Sequence, residues 1–370
     1  MHPRARRWTL PLAGAIVAVG VVAAPAASGT TSNAPAVRRA EVVKSLPMAP
    51  TPADAQKIIQ RWNPTKLKRA TSYAAGAVPA ARTASAPSAV KSSQNPATGA
   101  AQSSVPPASA PKPQRGMTAE PLTGKRVPAP ASAGKVFFEI GNREFWCSAI
   151  ALQAKHRNMV ATAAHCAFDA VRREPVKSWV FIPAYSEGKS PYGIYVGHTL
   201  SLHGEFWGGA DYDYDYAFVS VHDGVRWSGG KTRSAGRLGD NVDGQGIAWN
   251  RGSKVAVHAF GYPAGQHPNG SAPYDGKVIK SCSGASGSMR PAPAYKLDLG
   301  LGIPCSFTKG ASGGPWLISY NPATKVGYLN GVNSLAWDGD ADGRYDRISS
   351  PYFNADTYAV YRAANEIRSG

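Results

Sequence analysis

His165 within TAAHC (Thr162 to Cys166), Ser312 within GASGGPW (Gly310 to Trp316) and the three aspartates of DYDYDYAFVS (Asp211 to Ser220) are the residues whose types and order could do chemistry together. A serine hydroxyl is a poor nucleophile at neutral pH unless a base removes its proton. An imidazole serves as that base only when a third group fixes its tautomer and orientation. A histidine, a serine and a buried aspartate meet those needs together, and acyl transfer is what they would do. Zinc chemistry lacks such support, because the chain has neither a CxxC nor an HExxH spacing.

GASGG also fits the G-x-S-x-G elbow of α/β-hydrolases. Chain order rejects that fold: it runs serine, acid, histidine, whereas all eight histidines here precede Ser312. The alternating helices it needs are missing from the pattern as well. DYDYDY does not say which carboxylate would act. In an extended segment Asp211, Asp213 and Asp215 share one face and the tyrosines the other.

The elements that must position these residues are strands. KVFFEI, CSAIALQA, NMVATA, SWVFIPA, YAFVSV, KVAVHAFG, WLISY and VGYLNGV are short apolar or alternating runs between Gly, Pro, Asn and Asp clusters. Only the end reads as helical. After Asp356 as N-cap, Val360, Ala363, Ala364 and Ile367 fall at i, i+3, i+4 and i+7. The pattern predicts an all-β domain, one large or two small packed barrels, with a C-terminal helix. Cys147, Cys166, Cys282 and Cys305 allow three disulfide pairings, and proximity favours Cys147–Cys166 and Cys282–Cys305. Each bridge would close a loop of roughly 20 residues, worth about 3 kcal/mol in the chain-entropy model.

The chain opens with MHPRARR, an apolar stretch and AAPAASG, the three-part pattern of a secretory signal over residues 1–27, with cleavage near Ala26 or Ala27. A retained membrane helix is the rival reading, disfavoured by its Gly and Pro and its small-residue exit. Residues 28–130 are rich in Ala, Pro, Ser and Thr and are expected to be a largely disordered leader or propeptide. Residues 1–130 hold 17 Lys and Arg against 3 acids, while residues 131–370 hold 24 against 20. The basic excess thus belongs to the leader and gives no reason to expect a nucleic-acid groove. AQKIIQRWNPTKLKRA reads as a solvated charged stretch, with a short basic helix against a cell wall or the following domain as the rival. The products expected are an extracellular protein with no membrane attachment after signal removal, and a monomer.

TAAHC, GASGGP and the order His, Asp, Ser resemble the chymotrypsin-like serine peptidases over residues 131–370. GYPAG and the lack of an activation aspartate look like the bacterial branch that includes the glutamyl endopeptidases. The resemblance implies two packed antiparallel six-stranded β-barrels and a secreted endopeptidase acting on polypeptides. It makes His165 general base and then acid, Ser312 the acylated nucleophile, and the N–H groups of Gly310 and Ser312 the oxyanion hole. Cys166, beside the histidine, would bridge to Cys147. The family's aspartate precedes a run such as Tyr216-Ala217-Phe218-Val219, which selects Asp215. Asp211 and Asp213 are then loop acids kept in water. Many members carry an aspartate just before the nucleophile that receives the new N-terminus on activation; Ala311 stands there, so that ion pair is not expected. Trimming after Lys125-Arg126 is an alternative route.

By the same resemblance Ser306 lies near the base of the primary pocket, Asn333 sits where glutamyl endopeptidases carry a histidine, and Ser334, Leu335 and Ala336 form an edge that pairs with extended substrate. No acid lies between Ser306 and Ser312, so an uncharged pocket residue is expected and not Lys or Arg. No cofactor is required. A structural calcium could be held by Asp338, Asp340 and Asp342 of DGDADGRYD, although an EF-hand's closing glutamate is replaced by Ser349. His156, His198, His203, His222, His258 and His267 lack ligand-like spacing and read as structural. Two other functions fit: an inert binding protein on a peptidase fold, which the intact His, Asp and Ser set disfavours, and an esterase using the same residues.

Overall fold

A computed structural model describes residues 42–74, 103–107, 127–228 and 231–369. The signal segment, Lys125-Arg126 and most of the leader lie outside them. Six strands close an antiparallel barrel: Ala133–Ile140, Arg143–Leu152, Met159–Thr162, Ala217–Val221, Tyr195–His203 and Lys177–Pro183, the last pairing with both Ala133–Ile140 and Tyr195–His203. Their apolar runs are buried because the interior is filled by Val136, Phe138, Ile150, Val160, Leu200 and Phe218. The second half is built on Gly246–Trp249, Ala256–Gly261, Lys280–Ala285, Pro315–Asn321 and Val326–Val332. A smaller sheet of Gly287–Ser288, Leu301–Pro304, Arg347–Ser350 and Ala336–Trp337 accompanies it. This is the expected two-barrel, all-β architecture, and both disulfides form as proximity suggested. Among the described residues no helix is long and apolar enough to cross a membrane.

The terminal helix, Ala355–Asn365, is capped by Asn354, whose side chain accepts from the N–H groups of Asp356 and Thr357, rather than by Asp356. Its buried face is Thr357, Val360, Tyr361 and Ala364. Tyr361 packs edge-on against Phe218 at 5.7 Å.

The larger correction concerns the leader. Val43–Pro47 adds antiparallel to Tyr195–His203, Ser103–Val105 adds to Gly246–Trp249, and Val127 is buried in the main core. AQKIIQRWNPTKLKRA is not a solvated stretch; it forms the helices Pro52–Arg61 and Pro64–Arg69, each N-capped (Thr51, Asn63) with proline in its first turn. Ala55, Ile59, Trp62 and Leu67 bury themselves against Phe137, Val180 and Ile182 on the outside of the first barrel. Arg61 pairs with the buried Glu139 at 2.6 Å, and the Trp62 indole donates to the Ser178 carbonyl at 2.6 Å.

Next to that cluster Lys135 is 3% exposed, its ammonium 3.8 Å from the Trp146 ring centroid, with Tyr185 and Tyr262 at 4.7 and 5.3 Å. Burial pushes this ammonium down to about 7, opposed by the charge of Asp275 and by the ring faces. The unfolded chain keeps the proton up to about pH 10. Between those limits the folded state binds fewer protons, so this residue makes stability rise with pH. The melting temperature is expected to climb from pH 7 to pH 9 and to climb less in Lys135→Met; identical slopes would assign the rise to other groups.

Candidate active site

Thr162 ends its strand and the chain makes a single turn, Ala164–Cys166, that carries His165. The Cys147–Cys166 bridge ties this turn to the neighbouring strand. Tyr212–Tyr214 is likewise one short turn rather than extended chain, N-capped by Asp211, and it delivers Asp215 to the start of Ala217–Val221. The Asp215 carboxylate, fully buried, accepts three hydrogen bonds. His165 N–H reaches Oδ1 at 2.9 Å; His165 Nδ1 and the Ser334 hydroxyl reach Oδ2 at 2.8 and 2.6 Å. Nδ1 is thereby held as the donor, which leaves Nε2 as the basic atom. Nε2 makes no hydrogen bond among the described residues. The Tyr212 ring stacks near the imidazole at 6.1 Å, its phenol pushed up by burial and by the Asp215 charge.

Asp211 and Asp213 are not in water: they are 8% and 3% exposed. Asp211 accepts from the Asp213 N–H, and Asp213 accepts from Asp298 and Leu299 N–H groups at 2.8–3.1 Å. Asp211 therefore closes its own turn, Asp213 fastens a distant segment, and of the three carboxylates Asp215 is the one that meets the histidine.

Ser312 sits in a loop whose glycines permit contacts that no side chain could. Gly310 and Gly313 have φ of 92° and 76°. A Cβ on Gly313 would lie 2.0 Å from Thr162 Oγ1 and 2.9 Å from Ala163 N, so the loop presses against the turn that bears His165. A Cβ on Gly310 would lie 2.6 Å from the Tyr262 carbonyl. Ser148 fastens the loop by donating to the Ser312 and Gly310 carbonyls from N–H and hydroxyl, at 2.8 and 2.9 Å. Ala311, 2% exposed, fills the place before Ser312 and packs near Gly261.

Asn333, expected near the substrate, braces the loop that carries Ser312. It is 3% exposed, donates from Nδ2 to the Phe260 and Ala311 carbonyls, both at 2.9 Å, and accepts from the Trp316 indole at 2.7 Å. Ser334 is turned inward to Asp215, while half-buried Leu335 and exposed Ala336 lie at the edge. Among the described residues Ala336–Trp337 is the last strand of its sheet, paired with Arg347–Ser350 on one side, an open edge of the kind to which an extended strand can add. Half-buried Ser306 shares a 2.6 Å hydrogen bond with the hydroxyl of Tyr274, a residue sequence reading missed because nothing in its surroundings marks it.

The carboxylates of Asp338, Asp340 and Asp342 come together within 4.8 Å. Asp338 Oδ2 accepts the Gly343 N–H, and Asp338 Oδ1 is buried without a partner among the described residues, which suits a cation. Ser349 is not a further ligand, since its hydroxyl accepts from the Trp337 indole. The other histidines have structural roles where the structure shows partners: His203 Nδ1 caps a helix through Glu205 N–H, His222 bonds the Ala49 carbonyl, and His267 accepts from Tyr345 N–H.

No protein-family model matches the chain, and no match was found among curated proteins. Solved structures do match. The protease Anisep from Arthrobacter nicotinovorans is 28% identical at a TM-score of 0.52, over 65% of this chain and 97% of its own. A thermostable serine protease, AL20, from an extremophilic microorganism is 28% identical at 0.53, over 64% and 100%. About a third of this chain therefore has no counterpart in either. With its two barrels and these neighbours, the chain has the fold of the chymotrypsin-like serine peptidases.

Proposed function

We propose that the chain is a secreted serine endopeptidase in which Ser312 attacks a peptide carbonyl, His165 Nε2 takes the serine proton, and Asp215 holds the imidazole. The observation that carries this reading is the buried Asp215, bonded to both N–H and Nδ1 of His165 while the Ser312 loop is packed against the same turn. Attack forms the Ser312 Oγ–C bond and a tetrahedral oxyanion, for which the Gly310 and Ser312 N–H groups are the donors. His165 then returns its proton to the leaving amine, and water releases the acyl group by the same steps in reverse. A substrate strand would align on Ser334, Leu335 and Ala336, and a side chain without charge would meet Ser306 and Tyr274. The chemistry needs only protein groups; calcium at Asp338, Asp340 and Asp342 would steady a loop.

Two disulfides and serine-protease neighbours agree with export and a polypeptide substrate. The test is digestion of a denatured polypeptide by protein recovered from the culture medium. Internal peptide-bond cleavage that disappears in Ser312→Ala is expected. Ester hydrolysis without any peptide-bond cleavage would transfer the assignment to an esterase, and no turnover of either, even in a Tyr73→Pro chain whose leader no longer bonds the site, would favour a binding protein.

A further inference from the structure

The first described stretch of the leader ends inside the proposed site. Thr71–Ser72 pairs parallel with Phe145–Trp146, and Tyr73 continues the strand, its N–H donating to the Trp146 carbonyl at 2.9 Å. The Tyr73 carbonyl in turn accepts the Gly310 N–H at 2.9 Å, so one of the two oxyanion donors is already bonded. Ser72 is close enough that a Cβ on Gly310 would lie 3.0 Å from its own Cβ. The Tyr73 ring covers the histidine, 6.0 Å from the imidazole, wedged between Phe138 and Phe145 at 5.3 and 5.2 Å.

We propose that Thr71–Tyr73 is an autoinhibitory strand that closes the site of the full chain by holding the Gly310 N–H and the Trp146 carbonyl until the leader is displaced. The inference rests on the reading of Ser312 as nucleophile and of Gly310 as oxyanion donor.

Three anchors keep the strand there. Arg69 makes a two-point hydrogen bond with Glu144, in the barrel strand that Thr71–Ser72 pairs with. The helices behind it are buried on the barrel through Ile59, Trp62 and Leu67. Further back Val43–Pro47 is a strand of the first sheet. A segment so tethered faces its site at an effective concentration near millimolar, which a free polypeptide seldom matches. The strand is a plug and not a substrate in waiting. Its N–H is held by Trp146 of the first barrel instead of by the Ser334–Ala336 edge, so the Tyr73–Ala74 bond is not aligned as the proposed substrate strand would be.

The test compares the intact full chain, verified by mass, with Tyr73→Pro, which deletes the N–H donor and the ring, and Arg69→Glu, which sets like charges at Glu144. Three readings are taken: the rate of Ser312 labelling by a fluorophosphonate probe, the hydrogen exchange of the Gly310 amide, and the melting temperature. Both variants should label at least about tenfold faster than the intact chain, the factor that one or two ordinary hydrogen bonds represent. Gly310 exchange should be faster in both, with melting temperatures within a few degrees of the parent. Labelling of Ser312 at one common rate in all three proteins overturns the strand's inhibitory role and leaves the peptidase reading standing. No labelling of Ser312 in any of them, with the Gly310 amide opened in the variants, removes the nucleophile assignment and this proposal with it.

Discussion

Asp215→Asn is expected to lower peptide hydrolysis by about 10⁴-fold while leaving the fold intact. All three neighbours of this carboxylate donate to it: His165 N–H, His165 Nδ1–H and the Ser334 hydroxyl. An amide offers one oxygen and an NH₂ group, so at least one donor would face another donor. The cheapest escape is for the imidazole to move its proton to Nε2, where it can no longer accept one from Ser312. Asp213→Asn provides the contrast. Its carboxylate accepts main-chain N–H groups of Asp298 and Leu299, so the loss falls on stability, on the order of 1–2 kcal/mol, with turnover kept within a few-fold. Asp211→Asn should be milder still, because asparagine caps a turn as well as aspartate does. Steady-state kinetics of the three variants, taken on exported protein and repeated in the Tyr73→Pro chain, decide the matter. Equal losses at positions 213 and 215 would contradict the assignment.

Asn333→Ala is expected to cost about 2–3 kcal/mol, measured as a drop in unfolding free energy, together with slower Ser312 labelling. The substitution leaves the Trp316 indole N–H buried without its partner and takes a donor from the Phe260 and Ala311 carbonyls, of which the Ala311 carbonyl keeps the Gly314 N–H. Each buried group so abandoned costs about 1–3 kcal/mol. Ala311 precedes Ser312, so the loosened segment is the one that positions that hydroxyl. A residue lining a specificity pocket would behave otherwise, changing which peptide bonds are cut with stability untouched. That outcome would restore the reading suggested by its place in the sequence.

The candidate site is legible in the sequence because each of its residues carries a local mark. Glycines flank Ser312 where a Cβ would collide with Thr162, Ser148 or Phe260. A cysteine follows His165, and the last acid before an apolar run is Asp215. Strands showed as apolar runs because barrel interiors demand them. The burial of Asp213 and the bracing bonds of Asn333 are not legible locally, because their partners are distant in the chain: Asp213 caps residues 85 and 86 positions later, and Asn333 reaches Phe260 across 73. Composition also hid the leader's packing, since much of it is Ala, Pro and Ser and its few large apolar residues look isolated. Signals were present nonetheless. Thr51-Pro52 and Asn63-Pro64 are cap-and-proline starts, and Ala55, Ile59 and Trp62 recur at i, i+4 and i+7, one helical face. What no local pattern could reveal is that the outer wall of the first barrel, at Phe137 and Ile182, supplies the other half of that face.

The central claim is that Ser312 is the group that becomes acylated, and mapping a fluorophosphonate adduct by mass spectrometry tests it most directly. The Tyr73→Pro chain should carry one adduct, on the peptide containing Ser312, and should lose it in Ser312→Ala and nearly so in His165→Ala. An adduct on any other residue, or one that survives Ser312→Ala, would contradict the account.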